Sequence, residues 1–166
     1  MPPAPQSSPS RGHVAQAQPD WLAPTQHSAN GQATGSGAIV RAVQDAAVRA
    51  TAAAGLGAIA VIHAVDSVGK WTETPYLFWV YMALIAACVV TAAAVLFHPS
   101  RTALLAAAAL AGSVIAAYVI DRTVGLPNAT GDIGNWLEPL GLASLVVEGF
   151  VVAAGLGGFL ATRRRA

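Results

Sequence analysis

The sequence predicts an all-α membrane protein, a four-transmembrane-helix bundle preceded by a disordered N-terminal tail. Three observations predict it. Apolar residues make up 55% of the chain and charged residues only 10%, against about 25% charged in a typical soluble domain. The apolar residues are gathered into four blocks that approach or reach the run of about 20 needed to cross a hydrocarbon core. The second and third blocks carry no formal charge and lack the polar face at helical spacing that a soluble bundle needs.

Taken in order, residues 1–38 are rich in Pro, Ser, Gln, Ala and Gly. Such a stretch buries too little apolar area to offset the entropy of ordering and is expected to be a disordered cytoplasmic tail. Its opening, MPPAPQSSPSRG, lacks the basic start, apolar centre and small-residue exit of a secretory signal peptide. Trp21 and Leu22 form an apolar pair within it, incidental or a contact for a headgroup or partner. Residues 39–49 follow a helical pattern with Arg41, Asp45 and Arg49 four apart on one face. That alternation of charge predicts an amphipathic lead-in along the inner surface.

Residues 50–162 are expected to form the transmembrane domain, with spans at about 50–67, 75–97, 102–121 and 138–161. The first block is short and rich in Ala and Gly, the second is the most apolar, the third is Ala-rich, and the fourth contains one charge, Glu148. Residues 163–166 form a basic tail with Arg163, Arg164 and Arg165. Lys and Arg concentrate on the cytoplasmic side of membrane proteins. Arg41, Arg49, Arg101 and the final arginines fall on one side, and Lys70 and Arg122 on the other. Both termini are therefore predicted to be cytoplasmic, in the plasma membrane. Loop one (residues 66–74) and loop three (121–138) then face outward, and residues 98–101 make a tight inner turn. Trp71, Tyr76, Trp79 and Trp136 fall near the proposed outer interface, as an aromatic belt would.

Polar residues inside a membrane normally face the bundle interior. Helical projection places His63, Asp66 and Lys70 on one face of the first helix. Thr74, Tyr81, Cys88 and Thr91 form one stripe on the second, Tyr118 joins Asp121 and Arg122 on the third, and Gly141, Ser144, Glu148 and Gly155 line the fourth. Glu148 lies about 15 Å along its helix at 1.5 Å per residue. A carboxyl there must be paired, hydrated or protonated. It is a ligand, proton or ion site, or a protonated group bonded to a neighbouring helix as structural glue. His63, one turn from Asp66, is an oriented metal ligand, a pH-sensitive base, or simply an interfacial residue reaching water or a loop carbonyl. Tyr81 and Tyr118 read as belt or packing residues, and Cys88 as a small, inert packing residue. An outward-facing polar pocket would be lined by His63, Asp66, Arg122, Asp132, Glu138 and Glu148, with Arg122 paired to an acid on the fourth helix or in loop three.

Loop three is too long for a minimal connection. Gly125, Pro127, Gly131 and Gly134 set turns, Leu126, Ile133 and Trp136 anchor it, and Pro139 suits the first turn of the last helix. It is expected to be an ordered lid over the outer mouth of the bundle, or a folded cap with a structural role only. Its phrase Arg122-Thr123-Val124-Gly125-Leu126-Pro127, followed by Asp132 to Gly141 and by Ser144, Leu145 and Glu148, resembles a group of small four-helix membrane proteins common in high-GC actinobacteria. These carry an R-T-x-G-L-P phrase after the third span. The resemblance covers roughly residues 50–160 and implies a fold and a membrane location, with a His at the end of the first helix and a Glu in the fourth, matched here by His63 and Glu148. Some relatives have an acidic residue near the position of Ser144. This chain departs from that, which weakens any two-carboxylate site.

Several function classes are excluded or disfavoured. A net charge of +1 gives no basic surface for nucleic acid. One cysteine, Cys88, makes neither a disulfide nor a thiolate cluster. No H-E-x-x-H or C-x-x-C accompanies His63, so no metal and no cofactor are expected. A hydrolase needs a nucleophile–base pair or a metal set, and Ser144 with Glu148 lacks the usual base. Internal repeats, frequent in transporters, are not evident. The sequence therefore favours a non-enzymatic membrane protein whose polar pocket binds a small ligand or cation or senses pH. The alternative is a structural or accessory subunit of a larger membrane complex. The expected partners are membrane lipid and a membrane protein or second copy of the chain.

Overall fold

Residue-level structure comes from a computed structural model, which describes residues 26–98 and 100–163, with side chains for 35–98 and 100–161. The expected disorder of residues 1–25, the pair Trp21 and Leu22, Pro99 and the side chains of Arg163, Arg164 and Arg165 lie outside that range. The chain divides into two units, residues 1–38 and 39–166. Of the first, residues 26–38 are helical. The second holds the bundle.

Among the described residues there are four long helices, α1 (Gln26–Glu73), α2 (Pro75–Phe97), α3 (Arg101–Thr123) and α4 (Pro139–Arg163), and a short 3-10 turn at Thr130–Asp132. All four are long and apolar enough to cross a membrane. Lipid forces this choice, since a spanning segment must satisfy every backbone polar group internally. The surface is inside-out relative to a soluble protein. Of the 23 residues of α2, only Leu77, Cys88 and Val95 are buried, while Trp79, Val80, Val89 and Val90 are exposed. Exposed apolar surface on this scale marks contact with lipid or protein.

The helix ends follow local chemistry. The stretch read as loop one stays helical through Glu73, so Thr74 is the single link between α1 and α2. Nothing before Pro75 breaks the helix. Proline excludes the α conformation from the residue ahead of it, and Thr74 sits at φ −145°, ψ 76°. Ser100 caps α3, its hydroxyl accepting from the Ala103 amide at 3.1 Å. Pro139 opens α4, where its missing N–H costs no hydrogen bond. The helix α1 also takes in residues 26–38, which the sequence assigns to the tail, and runs without interruption through the lead-in.

Packing relies on small residues. In lipid, helices associate through close fit and polar contacts rather than through burial of apolar area. Ala103, Ala107, Ala108 and Ala111 are buried on α3, which packs along α4. A Cβ at Gly155 would lie 2.6 Å from the Leu104 carbonyl oxygen and 2.9 Å from the Ala108 Cβ. Gly55 of α1 similarly receives Val151 of α4. The core is completed by Leu56, Ile59, Cys88 and Val95. His63 meets Tyr81 edge-on at 5.2 Å, and Arg49 donates to the Val95 carbonyl at 3.4 Å. These pairs nest around Thr74, so α1 and α2 are an antiparallel hairpin.

Candidate functional site

The polar residues converge at the end of the bundle that carries loop three. Arg122, in the last turn of α3, is only 6% exposed. Its guanidinium lies 3.3 Å from Asp121, 3.1 Å from Asp132 in loop three and 3.1 Å from Glu138, and stacks over the Tyr118 ring at 4.8 Å. Of the two expected pairings, with loop three or with helix four, the structure shows the first, through Asp132 and through Glu138 just ahead of α4. Glu138 has a second task. Its Oε2 accepts from the Gly141 amide at 3.0 Å while its carbonyl accepts the first helical bond from Leu142 at 3.0 Å. It is the N-cap of α4, where a carboxylate also complements the helix dipole.

Loop three is folded by the residues its motif supplies. Gly125 and Gly134 adopt φ +80° and +78°, which side-chain-bearing residues rarely tolerate. Leu126 to Ala129 make a tight turn closed by a 2.9 Å hydrogen bond, with Pro127 second and Asn128 third at φ 58°. That is the signature of a type II turn. The Thr123 hydroxyl donates back to Val119 at 2.7 Å. The Gly134 amide returns to the Arg122 carbonyl at 2.9 Å, and Tyr76 of α2 donates to the Pro127 carbonyl at 2.6 Å. Trp136 packs edge-on against Tyr118, whose hydroxyl donates to the Trp136 carbonyl at 3.2 Å.

At this end of the bundle, beside Arg122 and Glu138, lies a cavity of about 80 Å³, room for a few waters or one small head group. His63, Asp66, Arg122, Glu138 and Glu148 line it, as does Ser144. Asp132 does not. It faces Arg122 from the loop. Tyr81, Tyr118 and Asp121 also line it. An aromatic at belt depth and an aromatic in a pocket wall look alike in a sequence, so belt and packing were the natural readings of Tyr81 and Tyr118. For Asp121 and Tyr118 the usable signal was the face they share with Arg122.

At the deep end of the cavity sits Glu148, 1% exposed. The Ser144 hydroxyl, one turn earlier, donates to its Oε1 at 2.5 Å. Its Oε2 has no hydrogen-bond partner among the described residues, and the same holds for Nε of Arg122. His63 engages the Ile59 carbonyl through Nδ1 at 2.9 Å; as a donor there, it leaves Nε2 as the acceptor nitrogen. Among the described residues no three His, Cys, Asp or Glu side chains are placed to hold a metal ion.

A second space of about 220 Å³ adjoins the first. It lies between α2 and α3, with Leu77, Val80, Leu84, Val114, Ala117 and Leu126 in its wall, and shares His63, Tyr81, Val114, Tyr118 and Asp121 with the polar cavity. No protein-family model matches the chain, and no curated protein or solved structure does so either.

Proposed function

We propose that this multi-pass membrane protein binds a small cation or polar ligand, or responds to protons, in the cavity under loop three. The observation that carries the reading is Glu148, a buried carboxyl in the cavity wall with one oxygen unsatisfied. Leaving a buried polar group without a partner costs about 1–3 kcal/mol. Folds retain such a group where an occupant repays it. His63 and Asp66 on α1 supply further polar contacts from across the cavity.

The protein sits in the plasma membrane with both termini in the cytoplasm, so the cavity faces outward. The arginines of residues 41–49, 101 and 163–165 support that orientation. The R-T-x-G-L-P phrase supports its placement among the four-helix proteins of high-GC actinobacteria.

The test compares wild type with Glu148→Gln and His63→Ala in lipid nanodiscs. Intrinsic tryptophan fluorescence and unfolding temperature are followed against methylammonium concentration and against pH. The proposal expects a response in wild type that is lost or shifted in Glu148→Gln. Identical responses in all three proteins would remove it.

A second reading, an accessory subunit of a larger complex, is favoured by one observation. A groove of about 400 Å³ between α1 and α4 is lined by Ala47, Val48, Gly157, Gly158 and Ala161, with Gln44 and Asp45 beside them, and small residues there permit close approach of another helix. Purification in mild detergent decides this. A reproducible partner supports it, and a monodisperse monomer counts against it.

A further inference from the structure

We infer that the ligand is a lipophilic amine, whose cationic nitrogen lies beside Glu148 and whose hydrocarbon body lies in the side space between α2 and α3. The inference rests on the proposed function and names the chemistry of that site's occupant.

Charge selects the head group. Three of the acids at this end, Asp121, Asp132 and Glu138, are ion-paired to Arg122. Asp66 and Glu148 line the cavity and form no ion pair among the described residues. Arg122 and a protonated His63 would balance at most two of these five acids, so the cavity carries unbalanced negative charge when they ionise. A positive head group is drawn in, and an anionic one meets carboxylates in a medium of low dielectric. An ammonium group supplies the donor that Glu148 Oε2 lacks.

Shape selects the rest of the molecule. At about 80 Å³ the polar cavity takes a head group and little more. The adjoining space of about 220 Å³ is walled mainly by aliphatic side chains and shares five residues with it. Together they approach the lower end of the range, about 300–1,000 Å³, of small-molecule sites. The rim of the side space includes Val80, Ser113 and Ala117, all exposed on the flank of the helices. That flank faces lipid. An amphiphile dissolved in the bilayer reaches the site sideways, without passing loop three. Leu126 lines the same space from the loop.

The experiment measures binding in nanodiscs, by unfolding temperature and by displacement titration, for dodecylamine, dodecanol, dodecanoate and methylammonium. Wild type is compared with Glu148→Gln and with Ala117→Trp, which fills the side space from an exposed position. Expected are stabilisation by dodecylamine well above the other three, a loss of about tenfold or more in Glu148→Gln, and a comparable loss in Ala117→Trp. Each protein's unfolding temperature without ligand reports whether it is folded. If Ala117→Trp does not fold, Val80→Trp fills the same rim from α2. Equal binding of dodecanol, or preference for dodecanoate, overturns the assignment of an amine. Methylammonium binding that depends on Glu148, with dodecylamine no tighter and Ala117→Trp without effect, overturns the lipophilic body while leaving the proposed function intact. No ligand or pH response that depends on Glu148 overturns both.

Discussion

The α3–α4 seam and the loop-three end of the same two helices are held together by different physics. Along the seam, Gly155 of α4 lies against Leu104 and Ala108, and Gly158 against Leu104, in a core of small apolar residues that includes the buried Ala103, Ala107 and Ala111. At the loop-three end, Arg122 joins three carboxylates from α3, the loop and the α4 N-cap. The seam depends on every residue staying small, and tolerates no added volume. The other end centres on one side chain, and concentrates polar atoms around a cavity. A lipid solvent leaves only these two means of fixing helices, shape and buried polar bonds, and here they are segregated along the bundle.

The comparison breaks most visibly at Arg122. Arg122→Leu leaves three carboxylates without their cation and should cost about 3 kcal/mol, toward the lower end for a broken pair because the acids are partly exposed. Unfolding temperature in nanodiscs reads the loss, and protease cleavage within residues 124–138 should rise sharply. A loop that stays resistant would show that its turns hold without the arginine. Gly155→Leu attacks the seam. Its Cβ would overlap the Leu104 carbonyl, and overpacking of this kind costs about 1–3 kcal/mol. Here the unfolding temperature should fall while loop three remains protease-resistant, which separates the two regions. A smaller effect, about 1–2 kcal/mol, is expected for Gly125→Ala, since a left-handed backbone disfavours a side chain and Ile133 already lies 3.0 Å from the new Cβ. Its cleavage pattern should resemble that of Arg122→Leu in milder form. The smallest change is Ser100→Ala. It removes the α3 cap at the opposite end and should cost about 1 kcal/mol, with no change in loop three and no change in ligand response.

Much of the fold was legible because lipid makes composition decisive. Four uninterrupted apolar blocks in a chain poor in charge leave few alternatives to spanning helices. Helical projection also found the inward faces, since Cys88, Ser144 and Glu148 are buried as their stripes require. Projection fails where a position depends on a neighbouring helix. It gives the face of Tyr81 but not the cavity that its ring helps to wall. Projection says nothing of loop three, where the sequence reading counts Asp132 among the pocket acids although the loop turns it toward Arg122 instead. The side space between α2 and α3 has no sequence signature, because it arises from the separation of two helices. The helical run through residues 66–73 was hidden for a different reason. Charged and polar residues beyond an apolar block suggest a loop, yet none of them opposes helix, and the break comes only from Pro75 acting on Thr74.

That one-residue link constrains how the chain enters the bilayer. Successive Cα atoms are about 3.8 Å apart, and a helix with its side chains is about 10 Å wide, so Thr74 permits neither sliding nor independent rotation of the pair. The two helices are therefore held as antiparallel neighbours, and the direction in which the first crosses a bilayer fixes that of the second.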